Sequence, residues 1–156
     1  MVDEVVGFAP DEVRTGESTR SARLKWVVVV DRDLPAGRVV NAAVCVAAAT
    51  ARAVPGLLGP DATDATGSVH PGLPWAGCTV LAADAATVRR VREKGVARAG
   101  TFVADMPVAA QETRVYDEYV ARLGADAADD VQYVAVSLVG PRNGVDRIVG
   151  GLPLLG

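Results

Sequence analysis

The side chains able to do acid–base, nucleophilic or anion-binding chemistry fall into four groups along the chain. Asp105 follows a short apolar segment, Thr101–Ala104, and precedes Pro107, which reads as a helix opener. A carboxylate at the carboxyl end of a strand is where α/β sheets collect ligands. It can orient water or accept a proton there, or it can simply cap the helix that follows. Arg38, Asn41 and Cys45 are spaced i, i+3 and i+7, so one helix face carries all three. With Arg38 in the first turn, that face suits a carboxylate or phosphate, because a helix N-terminus attracts anions. Cys45 becomes a nucleophile only if a base or positive charge depresses its pKa; otherwise it is a buried thiol. His70 is the single histidine, so any histidine-dependent step must use it. A lid motion of its loop is one way to bring it to Cys45 or Asp105, and an exposed loop histidine is the plainer alternative. Gln111, Thr113 and Tyr116 fall on successive turns of a helix after Pro107, where they can line a pocket with Asp105 or form helix surface. One histidine and two unspaced cysteines are too few soft ligands for zinc, so neither a metal nor another cofactor is expected.

These groups need a scaffold, and the pattern of the chain supplies one. Leu24-Lys25-Trp26-Val27-Val28-Val29-Val30 is a β-branched run suited to a strand covered on both faces. Arg38 to about Val54 is alanine-rich, apolar on nearly all sides, and expected to be a well-buried helix. Gly56–Ala76 reads as a long loop. Gly77–Ala83 is a second strand, and Asp84 caps a helix to about Arg98. Thr101–Ala104 is a third strand, and one helix from Pro107 to about Leu123 follows. Val131–Val139 is a fourth strand, and a short helix, Val145–Val149, follows it. Strands alternating with helices predict a three-layer α/β/α domain with a mixed four-stranded sheet. Met1–Ala22 is polar and weakly patterned, a loose lead-in; residues 23–156 form the single domain.

The chain has 156 residues, 50% hydrophobic but only 4% aromatic, so its core is built from small side chains. Sixteen Lys and Arg face 19 Asp and Glu, a formal net charge of −3. Nucleic-acid affinity draws on clustered cations, so strong nucleic-acid binding is not expected. Apolar runs stay well below the roughly 18 residues a membrane helix needs, so no membrane association is expected. No secretory pattern opens the sequence, and a soluble cytoplasmic protein with reduced, buried cysteines is expected.

Three segments in order carry a family resemblance: Lys25–Leu34 with Gly37-Arg38 and Asn41-Ala42-Ala43; the strand ending at Asp105; and Val136–Pro141 with Val145-Asp146 and Gly150–Leu155. Together they resemble the archaeal and eukaryotic type of peptidyl-tRNA hydrolase. They are more similar still to uncharacterised relatives catalogued as domain of unknown function two-thousand, a likeness to which Ala110–Thr113, Tyr116 and Tyr119 contribute. The resemblance implies a peptidyl-tRNA-hydrolase-like fold and a homodimer, with the apolar tail Gly151–Gly156 contributing to its interface. Of the hydrolases' acid–base set it carries over only Asp105. Their Gly-Lys-Gly-Lys run is Gly37-Arg38-Val39-Val40 here, their helix histidine falls at Ala47, and the threonine of their last strand falls at Ala135. The helix after Asp105 stands as an insertion. Three functions follow as expectations: binding, hydrolysis or transfer of a small acyl, aminoacyl or peptide-like molecule between Arg38, Asn41, Asp105 and the inserted helix; a non-enzymatic ligand-binding or homodimeric scaffold module; or peptidyl-tRNA hydrolysis with substituted residues.

Overall fold

The β-branched run is a strand with neighbours on both sides. β1 (Leu24–Asp31) leads through α1 (Ala36–Ala53) and a small hairpin, β2 (Ala62–Thr63) with β3 (Val69–His70). β4 (Thr79–Ala83) and α2 (Ala85–Val96) come next. They are followed by β5 (Phe102–Pro107), α3 (Val108–Glu112) and α4 (Tyr116–Ala125). β6 (Tyr133–Pro141) and α5 (Arg142–Val149) complete the elements. The structure is a computed structural model, and it describes residues 4–156.

The sheet order is β4-β1-β6-β5. β1 and β4 are parallel, joined by the α1 crossover, while β6 runs antiparallel to both β1 and β5. The expected mixed four-stranded sheet with helices on both faces is therefore the observed one. Strand residues alternate between faces. Trp26, Val28 and Val30 pack with Val39, Ala42 and Val46 of α1. Val27 and Val29 pack with Val88 and Val91 of α2 and Val145 and Val149 of α5. α2 can lie close to β6 because Gly95 has no side chain: a Cβ there would stand 2.5 Å from Leu138 Cδ2 and 3.0 Å from Val103 Cγ2. The outer edge of β4 is partly covered by the C-terminal tail, through Ala82 N–H to Pro153 O (2.9 Å) and Leu155 N–H to Val80 O (3.1 Å).

Several local expectations are corrected. The third strand runs on to Pro107, so Asp105 lies within it rather than at its end. The single helix expected after Pro107 is two helices. Thr113 and Val115, both β-branched, take extended backbone between them, and the Thr113 hydroxyl donates back to Ala109 O at 3.0 Å, closing α3. The last helix starts at Arg142. Neither cysteine is buried as expected: Cys45 is exposed, and Cys78, exposed as a residue, has a partly desolvated thiol. The lead-in segment is anchored: Phe8 is buried against Trp75, with ring centroids 4.8 Å apart, and its N–H donates to Pro55 O. Gly56 makes room for this contact, since its positive φ and a Cβ position 2.7 Å from Phe8 O exclude a side chain. The first three residues of that segment lie outside the described residues.

Candidate functional site

Arg38, Asn41 and Gln111 meet where α1 begins and α3 ends. Pro35 and the extended backbone around it turn the chain from β1 into α1, which places Arg38 one turn in. Its Nε–H donates to Gln111 Oε1 at 3.0 Å. The Gln111 amide donates in return to Arg38 O (2.8 Å) and Asn41 Oδ1 (3.1 Å). Gln111 is thereby consumed as a clamp between two helices. Arg38 is half-buried and has no carboxylate partner among the described residues. Cys45 lies two turns further along α1, exposed, with no base bonded to it. Thr113 is occupied with Ala109, and Tyr116 projects outward with its edge against Tyr119, centroids 5.5 Å apart.

Asp105 does not join this group. Ala104 and Met106 face α1, so the pleat turns Asp105 to the opposite side of the sheet. There Arg92 Nε of α2 bonds its Oδ2 at 2.7 Å. The same guanidinium stacks over the Tyr133 ring, 4.9 Å from the centroid. Desolvation works against the Arg92 charge, but the hydrogen bond and charge of Asp105 outweigh it and hold the group above its usual range. Burial first, then the Asp105 charge, raises the Tyr119 hydroxyl. The cavity expected between Arg38 and Asp105 is thus absent, because the sheet stands between them. Nor does Asp105 cap α3, whose N-cap is Pro107.

His70 sits on the β2–β3 hairpin, where its Nε2 meets Asp64 Oδ2 at 3.2 Å. Asp64 also accepts from the Thr66 hydroxyl and from the Thr66 and Ser68 amides. These bonds, the Thr66 hydroxyl foremost, hold its carboxyl well below the usual range. The pair ties a turn together and engages neither Cys45 nor Asp105.

An apolar concavity on the α1 face was not anticipated from the sequence. α1 lies over β6, β5 and β1, which leaves the β4 side of that face open. A groove of about 430 Å³ results. Its floor is Trp26, Val28 and Val80, one wall is α1 through Ala43, Val44 and Ala47, and Pro74 and Leu155 close the other side. Val40 and Val44 on its rim are 59% and 63% exposed. The available signal was the α1 sequence itself. A helix apolar on nearly all sides is expected to be well buried, whereas Val40 and Val44 face water.

Beneath the floor, buried hydroxyls form a continuous chain. Trp26 Nε1–H donates to Ser137 Oγ at 2.8 Å, Ser137 and Thr50 share a bond of 2.8 Å, and the Thr50 hydroxyl donates to Val46 O at 2.6 Å. Every member is satisfied, which fixes the indole ring that forms the floor. Cys78 also lines the groove, and desolvation there pushes its thiol up to about 12.

Among the described residues no helix is long and apolar enough to cross a membrane, and no three His, Cys, Asp or Glu side chains are grouped to hold a metal.

The architecture defines a three-layer α/β domain on a mixed four-stranded sheet, grooved on one face. Residues 24–156 match the family described as Protein of unknown function (DUF2000), and the chain belongs to that family. No curated protein matches it. Among solved structures it is similar to the protein of unknown function Atu0240 from Agrobacterium tumefaciens. The two are 19% identical over 86% of this chain and 98% of that one, with a TM-score of 0.77. At that identity the likeness shows a shared fold.

Proposed function

We propose that this domain binds a small ligand whose apolar part, acyl-like or peptide-like, lies in the groove between α1 and β4. The groove itself carries the reading. At about 430 Å³ it falls within the roughly 300–1,000 Å³ of small-molecule sites, and a rigid, hydrogen-bonded indole forms its floor. Binding fits the groove better than hydrolysis or acyl transfer. Desolvation raises the pKa of the thiol there, Cys78, which disfavours the nucleophilic thiolate, and Asp105 is engaged by Arg92 across the sheet. A fold relation to the peptidyl-tRNA hydrolases belongs to the same proposal and rests on the order of the three segments. A homodimer is the second reading, favoured by the exposure of Val40, Val44, Leu154 and Leu155.

A neutral apolar dye, N-phenylnaphthylamine, tests the first reading. We expect its fluorescence to rise on titration with the protein and the rise to vanish in Ala47→Leu, which fills the groove. A dye signal absent from the wild type, or untouched by Ala47→Leu, overturns it. Sedimentation velocity across a concentration series decides the dimer.

A further inference from the structure

Building on that reading of the groove, we propose that the ligand is a single-chain amphiphile, its tail along α1 and an anionic head in a basic cleft at the groove's end. The cleft has a volume of about 360 Å³ and is lined by Thr19, Arg20, Lys25, Trp26, Cys78 and Arg142, among others. Trp26 and Cys78 line the groove as well, so the two concavities adjoin at those side chains.

The axis follows from the topology. α1 is the crossover between the parallel strands β1 and β4, so it runs back against them. Val39 and Val40 therefore lie toward the carboxyl ends of the strands and Ala47 toward their amino ends. Lys25, Trp26, Cys78 and Thr79 stand at those amino ends, where the cleft opens. A chain laid along α1 brings its polar end to the cleft and its apolar end to Val40.

The charge supports an anion. Three cations line the cleft in a protein whose formal net charge is −3. Lys25 is paired with Asp146 at 2.6 Å. Arg142 directs two donors to neutral carbonyls, Nε to Ala22 O at 3.2 Å and Nη2 to Thr19 O at 3.0 Å, and pairs with no carboxylate among the described residues. The Arg20 side chain makes no hydrogen bond among the described residues. Two of the three charges thus lack a carboxylate partner among the described residues, and the apolar groove beside them reduces solvent screening.

Calorimetric titration with decanoate, decyl phosphate and decanol tests the proposal on the whole chain. The two anions separate a carboxylate head from a phosphate head, and the alcohol keeps the tail without the charge. At least one anion should bind about tenfold more tightly than decanol, the effect of two partly exposed ion pairs, and the advantage should shrink with added salt. Arg20→Ala should cut the advantage about threefold and leave decanol unchanged, whereas Val44→Asp should weaken all three. Lengthening the tail should tighten binding about threefold to fourfold per methylene until the groove is full. Equal affinities for the anions and decanol overturn the head-group assignment while the groove reading stands. Failure of all three to bind overturns both. A dimer that Val44→Asp dissociates gives the groove to a second copy and overturns the amphiphile.

Discussion

Two helices, α2 and α5, cover one face of the sheet, whereas α1, with the segment before β1, covers the other. Under α2 and α5 the core is valine and leucine, with Val27, Val29, Val88, Val136, Leu138 and Val145 all at 0% exposure. Polar groups reach this face at Arg92–Asp105 and, by strand parity with Val27 and Val29, at the end of β1, where the buried Asp31 carboxylate accepts from Asp33 N–H. Under α1 the core holds two buried hydroxyls, Thr50 and Ser137, and its β4 side is open. The same alternating strands feed both faces, so the difference comes from coverage. A second helix closes a face, and its absence leaves apolar sheet that only a loop, a tail or a ligand can cover. Concave apolar surface rimmed by polar groups marks binding sites, and here the asymmetry produces it.

The sharpest way to break this comparison is to insert the same side chain on both faces. Gly95→Leu drives atoms into Leu138 and Val103 and should cost about 3 kcal/mol or more in denaturant unfolding, at or beyond the upper end of overpacking effects. Ala47→Leu places the same bulk into the groove and should stay within about 1 kcal/mol of the parent. Comparable losses from the two would mean that the α1 face is as tightly filled as its opposite.

Ser137→Ala probes the polar content of the α1 face. It strands the Trp26 indole N–H and one Thr50 contact, at a cost of about 1–3 kcal/mol. The loss should be accompanied by altered tryptophan fluorescence, because the floor of the groove loosens. Adding Thr50→Val should cost less than the sum of the separate losses, since the two hydroxyls belong to one chain of bonds. Strict additivity would mean that they act independently.

How much of this was legible in the sequence divides along the same line. The valine run of β1, the alanine-rich helix and the alternation of elements were enough for the layers, because each is a local pattern. Arg38, Asn41 and the helix carrying Gln111 were expected to share a pocket with Asp105; the structure instead joins Arg38, Asn41 and Gln111 by hydrogen bonds and leaves Asp105 out. Placing Asp105 was a different problem. Strand parity puts it opposite Ala104 and Met106, but only the assembled sheet decides which side α1 occupies. The break at Thr113–Val115 is a weak local preference settled by packing. The groove depends on which strands α1 lies across, a tertiary fact that no spacing within α1 encodes.

Asp105→Asn sharpens the separation of the faces. The Arg92–Asp105 pair is about a quarter to a third exposed, so its loss should cost about 0.5–1 kcal/mol. Arg92 keeps its stacking on Tyr133. Dye binding in the groove should be unchanged, since the sheet lies between. A shift in dye affinity comparable to that from Ala47→Leu would show the two faces to be coupled.

The smallest effect concerns a carboxylate at the edge of each face. Glu12 holds the lead-in segment to the α1 face, its Oε1 accepting from Arg23 Nε at 2.6 Å and its Oε2 from Ala9 N at 2.8 Å. The Arg23 hydrogen bond is the main reason its pKa is lowered from 4.5 to about 2. Asp84 caps α2 on the other face, and the Thr87 backbone N–H it accepts lowers its pKa as well. A carboxyl depressed on folding stabilises the native state above its unfolded pKa, and that contribution is lost as the pH falls through the folded value. For Glu12 it is whole above about 4.5 and disappears toward 2. Thermal melts should therefore place Glu12→Gln below the parent at neutral pH, with the two converging near the lower limit of that window. Trp75 packs against Phe8 of the tethered segment, so its emission should report the loss on the α1 face. Asp84→Asn should leave that emission alone, because asparagine caps a helix about as well as aspartate does and α2 lies across the sheet. An acid shift in Trp75 emission that is the same with and without Glu12 would place the acid-sensitive tether elsewhere in the segment.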